Sequence, residues 1–186
     1  KLRNLCDKEK IILIFDEIYS GWCKTGSMFN FFRSNIIPDI LVYAKSFGGG
    51  KASISGYTAR ENIMRKAYDN QEDFLLQSST YNGFGEESVT ALAALNIISE
   101  KNFEKKVINV SKLLKDKLKK IKKTHSDKVE EIKGNGILNG IVFKSYMSEL
   151  GNLVEKIPIS AIKDKSSFLK KITATAISAE LYEKHN

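Results

Sequence analysis

Residues 11–50 read IILIFDEIYSGWCKTGSMFNFFRSNIIPDILVYAKSFGGG. Two short apolar runs in this stretch, residues 11–15 and 40–44, have the length and β-branched content of buried strands. A charged residue follows each run, Asp16 after the first and Lys45 after the second. Parallel strands in a covered sheet bring their carboxyl ends to one edge, where open α/β sheets bind ligands. We therefore expect the carboxylate and the amine to face a common crevice.

Four separate pieces of the chain carry a family resemblance through their order and spacing. They are Asp16-Glu17-Ile18, the Lys24-Thr25-Gly26 turn with Met28-Phe29, Pro38-Asp39-Ile40, and Ala44-Lys45-Ser46-Phe47-Gly48-Gly49-Gly50. Together they resemble the signature of the class III aminotransferases, which are pyridoxal-phosphate enzymes of fold type I. The resemblance implies an α/β fold. Part of a large domain, with a mostly parallel sheet and helices, would be followed by part of a small α+β C-terminal domain.

The same resemblance implies roles for four residues near the two strand ends. Lys45 would form the Schiff base with pyridoxal 5′-phosphate, which requires a partly deprotonated amine. Asp16 would hold the pyridine nitrogen protonated through a charge-assisted hydrogen bond. Ile18 would pack on one face of the ring. Tyr19 stands where many relatives have a glutamine that bonds the phenolic oxygen of the cofactor, and its hydroxyl could take that place.

A fifth site residue is implied further along the chain. Residues 78–83 read SSTYNG and resemble the Ser-Thr-aromatic turn of the same family. In that family the threonine reaches across a dimer interface to the phosphate of the neighbouring subunit's cofactor. Thr80 matches this threonine, so the resemblance implies a homodimer in which Thr80 contributes to the partner's active site.

Two other interpretations of the strand ends are possible. A lysine in a lysine-rich chain is most often a solvated surface group, but Lys45 precedes three glycines, where backbone can approach a ligand closely. An apolar run ending in Asp-Glu also holds Mg²⁺ in nucleotide hydrolases. That interpretation requires G-x-x-x-x-G-K-[ST] upstream. Residues 1–10 contain no glycine, and Gly50-Lys51 is followed by Ala52, so the sequence does not favour an ATPase.

The charge and residue composition limit the classes of partner that we expect this chain to bind. The chain has 186 residues and a formal net charge of +8 that comes from lysine. Only four arginines occur, and they are not interleaved with aromatic residues as in a nucleic-acid face: Arg3, Arg33, Arg60 and Arg65. We expect no nucleic-acid partner, no membrane partner and no metal. The two cysteines lack metal-site spacing and favour a reducing compartment, so the predicted location is cytoplasmic.

The sequence pattern in the second half of the chain predicts helices followed by a pair of strands. Residues 86–99 should form one helix, and Asn102 can cap the next. That next helix should bury one apolar stripe, made of Phe103, Val107, Val110, Leu114, Leu118 and Ile121. Two strands, broken at Gly134-Asn135-Gly136, and a helix over residues 166–184 should follow. We place the domain boundary so that residues 1–124 belong to the large domain and residues 125–186 begin the small one.

Parts of the family's enzyme have no match in this sequence. Relatives carry a phosphate-binding helix N-terminus and a ring-stacking aromatic residue before the first strand, and neither is found in residues 1–10. Relatives also pair an arginine with the substrate carboxylate, yet no arginine follows Arg65. We therefore expect the polypeptide to be a piece of a larger aminotransferase, whether truncated, a split gene product or a partial reading frame.

Three functions stay open at this point. The first is transfer of an amino group between an amino donor and an oxo-acid acceptor, with Lys45 also acting as the base that moves the proton. The second is an aminomutase of the glutamate-1-semialdehyde type, which uses the same lysine and aspartate. The third is a non-catalytic remnant that dimerises or binds a partner.

Overall fold

The computed structural model describes residues 1–76, 78, 80, 82–144 and 165–185, and it has a mixed α/β architecture. The α-helices in this part are α1 (Leu2–Lys8), α2 (Glu61–Ala67), α3 (Gly85–Ile98), α4 (Phe103–Thr124) and α5 (Lys165–His185). The strands are β1 (Ile14–Asp16), β2 (Ile40–Tyr43), β3 (Gly56–Ala59), β4 (Val129–Asn135) and β5 (Leu138–Phe143). Short 3-10 helices cover Asn30–Arg33, Lys45–Gly48 and Gln71–Leu75. The predicted α/β class is confirmed.

The first three strands form one sheet in the order β1-β2-β3. β1 and β2 are parallel, with Ile14 beside Ile40 and Asp16 beside Val42. β3 runs antiparallel on the other side of β2. The parallel pair therefore brings the carboxyl ends of β1 and β2 to the same edge, as the sequence predicts.

The first apolar run is less buried than predicted. The side chains of Ile11, Ile12 and Ile14 are exposed, so the expectation of a buried strand is wrong for them. β1 also begins later than residue 11, because the amide of Ile11 still donates a 2.8 Å hydrogen bond to Cys6 in the turn that ends α1. Among the described strands β1 has a neighbour on one side only, which leaves its apolar side chains without a second packing partner.

An aromatic core anchors the segment between β1 and β2. The ring of Trp22 stacks on Phe47 at 4.8 Å and meets the edges of Phe29 and Tyr43 at 4.9 and 5.3 Å. Such pairs add to the free energy gained by burying aromatic surface. Because Phe47 belongs to the turn that starts at Lys45, this core ties that turn to the segment after β1.

Helix α4 buries a stripe that differs from the predicted one. Phe103, Val107, Leu114 and Leu118 are buried or half-buried, but Val110 and Ile121 are exposed. Ser111 is half-buried instead, and its hydroxyl donates a 2.6 Å hydrogen bond to the carbonyl of Val107. The inward positions follow steps of four, three and four residues from Val107, so a serine takes a place that apolar spacing assigned to its neighbour.

By its internal contacts the chain groups into two compact units. The first unit comprises Lys1–Lys112 with Asn135–Leu138, and the second comprises Leu113–Gly134 with Asn139–Asn186. β4 and β5 form a hairpin; most of both strands belongs to the second unit, and the tip, Asn135–Leu138, is grouped with the first. The domain boundary at residues 124 and 125 stays a prediction. Over the described residues, no helix combines the length and apolar character needed to cross a bilayer.

Candidate functional site

The predicted aspartate and lysine lie at the same edge of the first sheet. Asp16 is the last residue of β1, and the amide of Glu17 continues the ladder with a 2.9 Å hydrogen bond to the carbonyl of Val42. Lys45 follows two residues after the end of β2. The topology therefore presents a carboxylate and an amine from neighbouring parallel strands at one edge.

The Asp16 carboxylate is oriented by the chain that follows it. Its Oδ1 atom accepts a 2.9 Å hydrogen bond from the amide of Ile18, an arrangement typical of aspartate at the start of a turn. Asp16 is exposed and lines an open cavity of about 520 Å³ whose polar lining includes Ser20, Asn30 and Arg33. Lys45 does not line that cavity. The carboxylate is thus fixed in direction and open to a ligand.

Glu17, which sequence reasoning did not single out, holds the chain in place just beyond Asp16. Its side chain is buried, with 3% of the residue exposed. The carboxylate accepts three 2.8 Å hydrogen bonds, from the hydroxyl of Ser20 and from the amides of Asn30 and Phe31. Successive strand residues point to opposite faces, so one of the two acids had to face inward. The inward acid closes the segment of residues 18–31 into a compact loop.

Lys45 has an unusual backbone. Its φ is +52°, in the left-handed region that side chains other than glycine rarely adopt. Such conformations cost about 1–3 kcal/mol and cluster at functional sites. The side chain is exposed, and its Nζ atom lies 4.1 Å from the ring centroid of Tyr19. Lys10 shares the left-handed backbone with a φ of +53°, so the ring contact is what distinguishes Lys45 among the lysines that the structure describes.

The turn that carries Lys45 is held against helix α3. Gly48 is buried, and Gly49 has a φ of +61°. A Cβ atom on Gly49 would lie 3.1 Å from the Cβ atom of Ala94 in α3, which is tighter than an ordinary packing contact. Glycine at this position therefore supplies both the left-handed backbone and the room for the helix.

Asp39 connects the elements that start the sheet. Its carboxylate accepts a 2.8 Å hydrogen bond from the amide of Leu13 and pairs with Arg3 at 2.9 Å and Arg60 at 3.1 Å. The hydrogen bond from Leu13 and the two guanidinium groups lower the pKa of Asp39, although burial opposes them. Asp39 thus links α1, the chain entering β1 and the chain leaving β3.

Trp22 and Cys23, which are adjacent in the loop after β1, also have left-handed backbones, with φ values of +58° and +66°. Only 1% of Cys23 is exposed. Burial, and secondarily the negative charge of Glu104, raises the pKa of the Cys23 thiol to about 11. Because the thiolate is the reactive form, this cysteine is a structural group and not a nucleophile.

Four of the five predicted site residues lie at the same edge of the sheet. Asp16, Ile18 and Tyr19 lie within four positions at the end of β1, and Lys45 contacts Tyr19. Thr80 is exposed in a turn before α3, and within the described ranges no hydrogen bond or ring contact connects it to the other four. Its turn is described only in part, since Ser79 and Tyr81 of the predicted motif lie outside the described residues.

Comparison with known proteins identifies the family. The model of the class III aminotransferase family matches residues 1–172. Among solved structures, a taurine:2-oxoglutarate aminotransferase from Bifidobacterium kashiwanohense, in complex with PLP and glutamate, is 26% identical with a TM-score of 0.71. That match covers 77% of this chain and 31% of the other.

Two further solved structures that are similar to this chain are also aminotransferases. An acetylornithine aminotransferase from Elizabethkingia anophelis is 26% identical with a TM-score of 0.67, over 81% of this chain and 36% of the other. An ornithine aminotransferase from Toxoplasma gondii is 25% identical with a TM-score of 0.69, over 82% and 35%. The chain spans about a third of the length of these relatives. The predicted resemblance is confirmed, and the chain belongs to the class III aminotransferase family.

Proposed function

We propose that this chain is the lysine-bearing part of a pyridoxal-phosphate-dependent aminotransferase. The whole enzyme would move an amino group between a small-molecule amino donor and an oxo-acid acceptor. The observation that carries the proposal is the placement of Asp16 and Lys45 on adjacent parallel strand ends, with Lys45 on a left-handed backbone. Family membership supports the same chemistry.

The residues at this sheet edge fit the cofactor that the family carries. Lys45 offers an exposed amine, and no ion pair engages it within the part of the chain that the structure describes. The Asp16 carboxylate is exposed and uses one oxygen for the Ile18 amide. An amine suits a cofactor aldehyde, and a carboxylate suits a ring nitrogen that must stay protonated. When bound, pyridoxal phosphate supplies an electron sink for the substrate carbanion.

Each residue then has a defined task. Lys45 would hold the cofactor covalently as the Schiff-base lysine and then, once released, act as a base that moves the substrate proton. Asp16 would keep the proton on the ring nitrogen through a charge-assisted hydrogen bond, worth roughly 1.5–3 kcal/mol. Ile18 would pack on one ring face, and the Tyr19 hydroxyl would reach the phenolic oxygen. Glu17 supports them by holding the following loop.

The remaining assignments belong to the whole enzyme. We propose a homodimer in which Thr80 reaches the phosphate of the neighbouring subunit's cofactor. We also propose that residues 1–124 lie in the large domain and residues 125–186 begin the small one. A cytoplasmic location is supported by the two unpaired cysteines, since disulfides are common in oxidising compartments.

Single-turnover amino transfer tests the proposed function. The chain is mixed with pyridoxal phosphate and with taurine or ornithine, the compounds after which two of the solved relatives are named. We expect pyridoxamine phosphate to form faster than in protein-free solution, and Lys45→Ala to remove the excess. Lys51→Ala is the matched control, because Lys51 is an exposed lysine of the same glycine-rich turn and should not matter. An excess that survives in Lys45→Ala, or that Lys51→Ala removes equally, contradicts the proposal.

A further inference from the structure

The contact between Lys45 and Tyr19 joins the two strand ends. The Nζ atom of Lys45 lies over the Tyr19 ring, 4.1 Å from its centroid. Tyr19 follows Asp16 by three residues, and Lys45 follows β2 by two. An ammonium group at this distance over an aromatic face is attracted by the negative charge density of the ring. The ring is therefore a binding surface for the amine at the edge where the proposed chemistry takes place.

Both partners would otherwise project into solvent. Tyr19 is 68% exposed, and Lys45 is exposed as well. The Asp16 carboxylate accepts a hydrogen bond from the amide of Ile18, and no ion pair between Asp16 and Lys45 occurs in the described ranges. The aromatic face is thus the partner that the structure gives to the amine.

We propose that Tyr19 is also a positioning residue for Lys45, and that the ring face carries this second role, separate from the contact proposed above between the Tyr19 hydroxyl and the cofactor. The inference deepens the proposed function and rests on it for the reason why the amine needs a fixed place. Cation–π contacts at exposed sites favour the contacting state over other rotamers by about two- to five-fold. That preference is modest, so the ring biases the position of the amine and still lets it leave to react.

The backbone at Lys45 favours the same conclusion. The left-handed φ of +52° sets the direction in which the side chain leaves the turn. Stacking of Phe47 on Trp22 and packing of Gly49 against Ala94 hold that turn in place. A long flexible side chain still has many rotamers beyond a fixed Cα atom, and the Tyr19 ring selects among them.

Nuclear magnetic resonance of isotopically dimethylated lysines tests the inference without any cofactor. The lysines of the full chain are reductively methylated with ¹³C-formaldehyde, which keeps their charge, and Lys45→Arg identifies the Lys45 signal. Methyl groups above a ring face resonate upfield. We expect an upfield Lys45 signal in the unaltered chain and in Tyr19→Phe, and its return among the other lysines in Tyr19→Leu. Tyr182→Leu is the matched control, since Tyr182 is similarly exposed at 70%.

Each outcome has one meaning. An upfield signal that depends on the ring and survives loss of the hydroxyl supports the positioning role. A Lys45 signal that is unchanged in Tyr19→Leu, or that moves equally in Tyr19→Phe, overturns it. Because no cofactor is present, this result is separate from the amino-transfer assay. An amino-transfer excess that survives in Lys45→Ala, with a ring-dependent signal, would refute the proposed function alone. A Lys45-dependent excess without that signal would refute the positioning role alone.

Discussion

Replacing Glu17 by alanine should destabilise the first unit by about 2–4 kcal/mol. The buried carboxylate accepts three hydrogen bonds of 2.8 Å, two of them from the backbone amides of Asn30 and Phe31. A buried donor left without its partner costs roughly 1–3 kcal/mol. Two such amides would give about 2–6 kcal/mol, and the lower part of that range applies because both sites are only partly buried and water can reach them.

Urea unfolding followed by tryptophan fluorescence measures this cost. Trp22 is the only tryptophan and lies in the core of the first unit, so its emission reports the unit that Glu17 stabilises. Glu104→Ala is the matched control, because Glu104 also accepts a 2.8 Å bond from a backbone amide, that of Met28, but at an exposed site. We expect the control to cost less than about 1 kcal/mol. Equal losses for the two variants would refute the assignment of Glu17 as the anchor of the loop.

Three further predictions concern the scaffold. The pKa of Asp39 in the folded chain lies below its ordinary value of 3.8, so its stabilisation is complete above that pH and is lost as the pH falls through the folded value. As the pH is lowered through 3.8, the urea midpoint of unfolding should therefore fall less steeply in Asp39→Asn than in the unaltered chain. Parallel curves of midpoint against pH for the two proteins would contradict this. In a Cys6→Ser background, Cys23 should resist a thiol reagent at neutral pH until urea unfolds the chain, because burial raises the pKa of its thiol to about 11. Labelling of Cys23 at urea concentrations below the unfolding transition would contradict its burial. Gly50→Ala should lower the free energy of unfolding by about 1–2 kcal/mol for its left-handed backbone alone. Gly49→Ala should lower it further, because its Cβ atom also meets α3, and equal unfolding free energies for the two variants would contradict the packing argument.

Residues that end a strand were the easiest to predict. A charge directly after an apolar run indicates the carboxyl end of a strand, so the sequence alone predicts that Asp16 and Lys45 lie at one edge of the sheet. The family signature added the proposed roles, and the family itself is confirmed. The catalytic and cofactor-binding roles of these residues stay predictions that the experiments above address.

Other features depended on neighbours that a sequence does not show. The apolar run at residues 11–15 indicates a strand, but exposure of Ile11, Ile12 and Ile14 depends on which elements pack beside β1. The contact between the Tyr19 ring and the Lys45 amine joins segments more than twenty residues apart in sequence, and the predicted role of the Tyr19 hydroxyl stays a prediction. Glu17 stayed unnoticed because its partners are backbone amides more than ten residues away in sequence.

Helix α4 shows a similar limit. Val110 and Ser111 are neighbours, and a three- or four-residue step from Val107 can select either of them. Hydrophobicity favoured Val110, but the helix turns Ser111 inward, where its hydroxyl bonds the carbonyl of Val107. The bond lies within the helix, so it satisfies the half-buried hydroxyl but does not explain why Ser111 and not Val110 faces inward.

Borohydride reduction in the presence of pyridoxal phosphate, followed by peptide mapping, tests the central claim most directly. Reduction fixes the cofactor to whichever amine it has joined, and the chain offers many exposed lysines as internal competitors. We expect the pyridoxyl label on Lys45 ahead of every other lysine, including Lys51 in the same turn. A label that is spread over the exposed lysines, or that leaves Lys45 unmodified, would contradict the assignment of this sheet edge as the cofactor site.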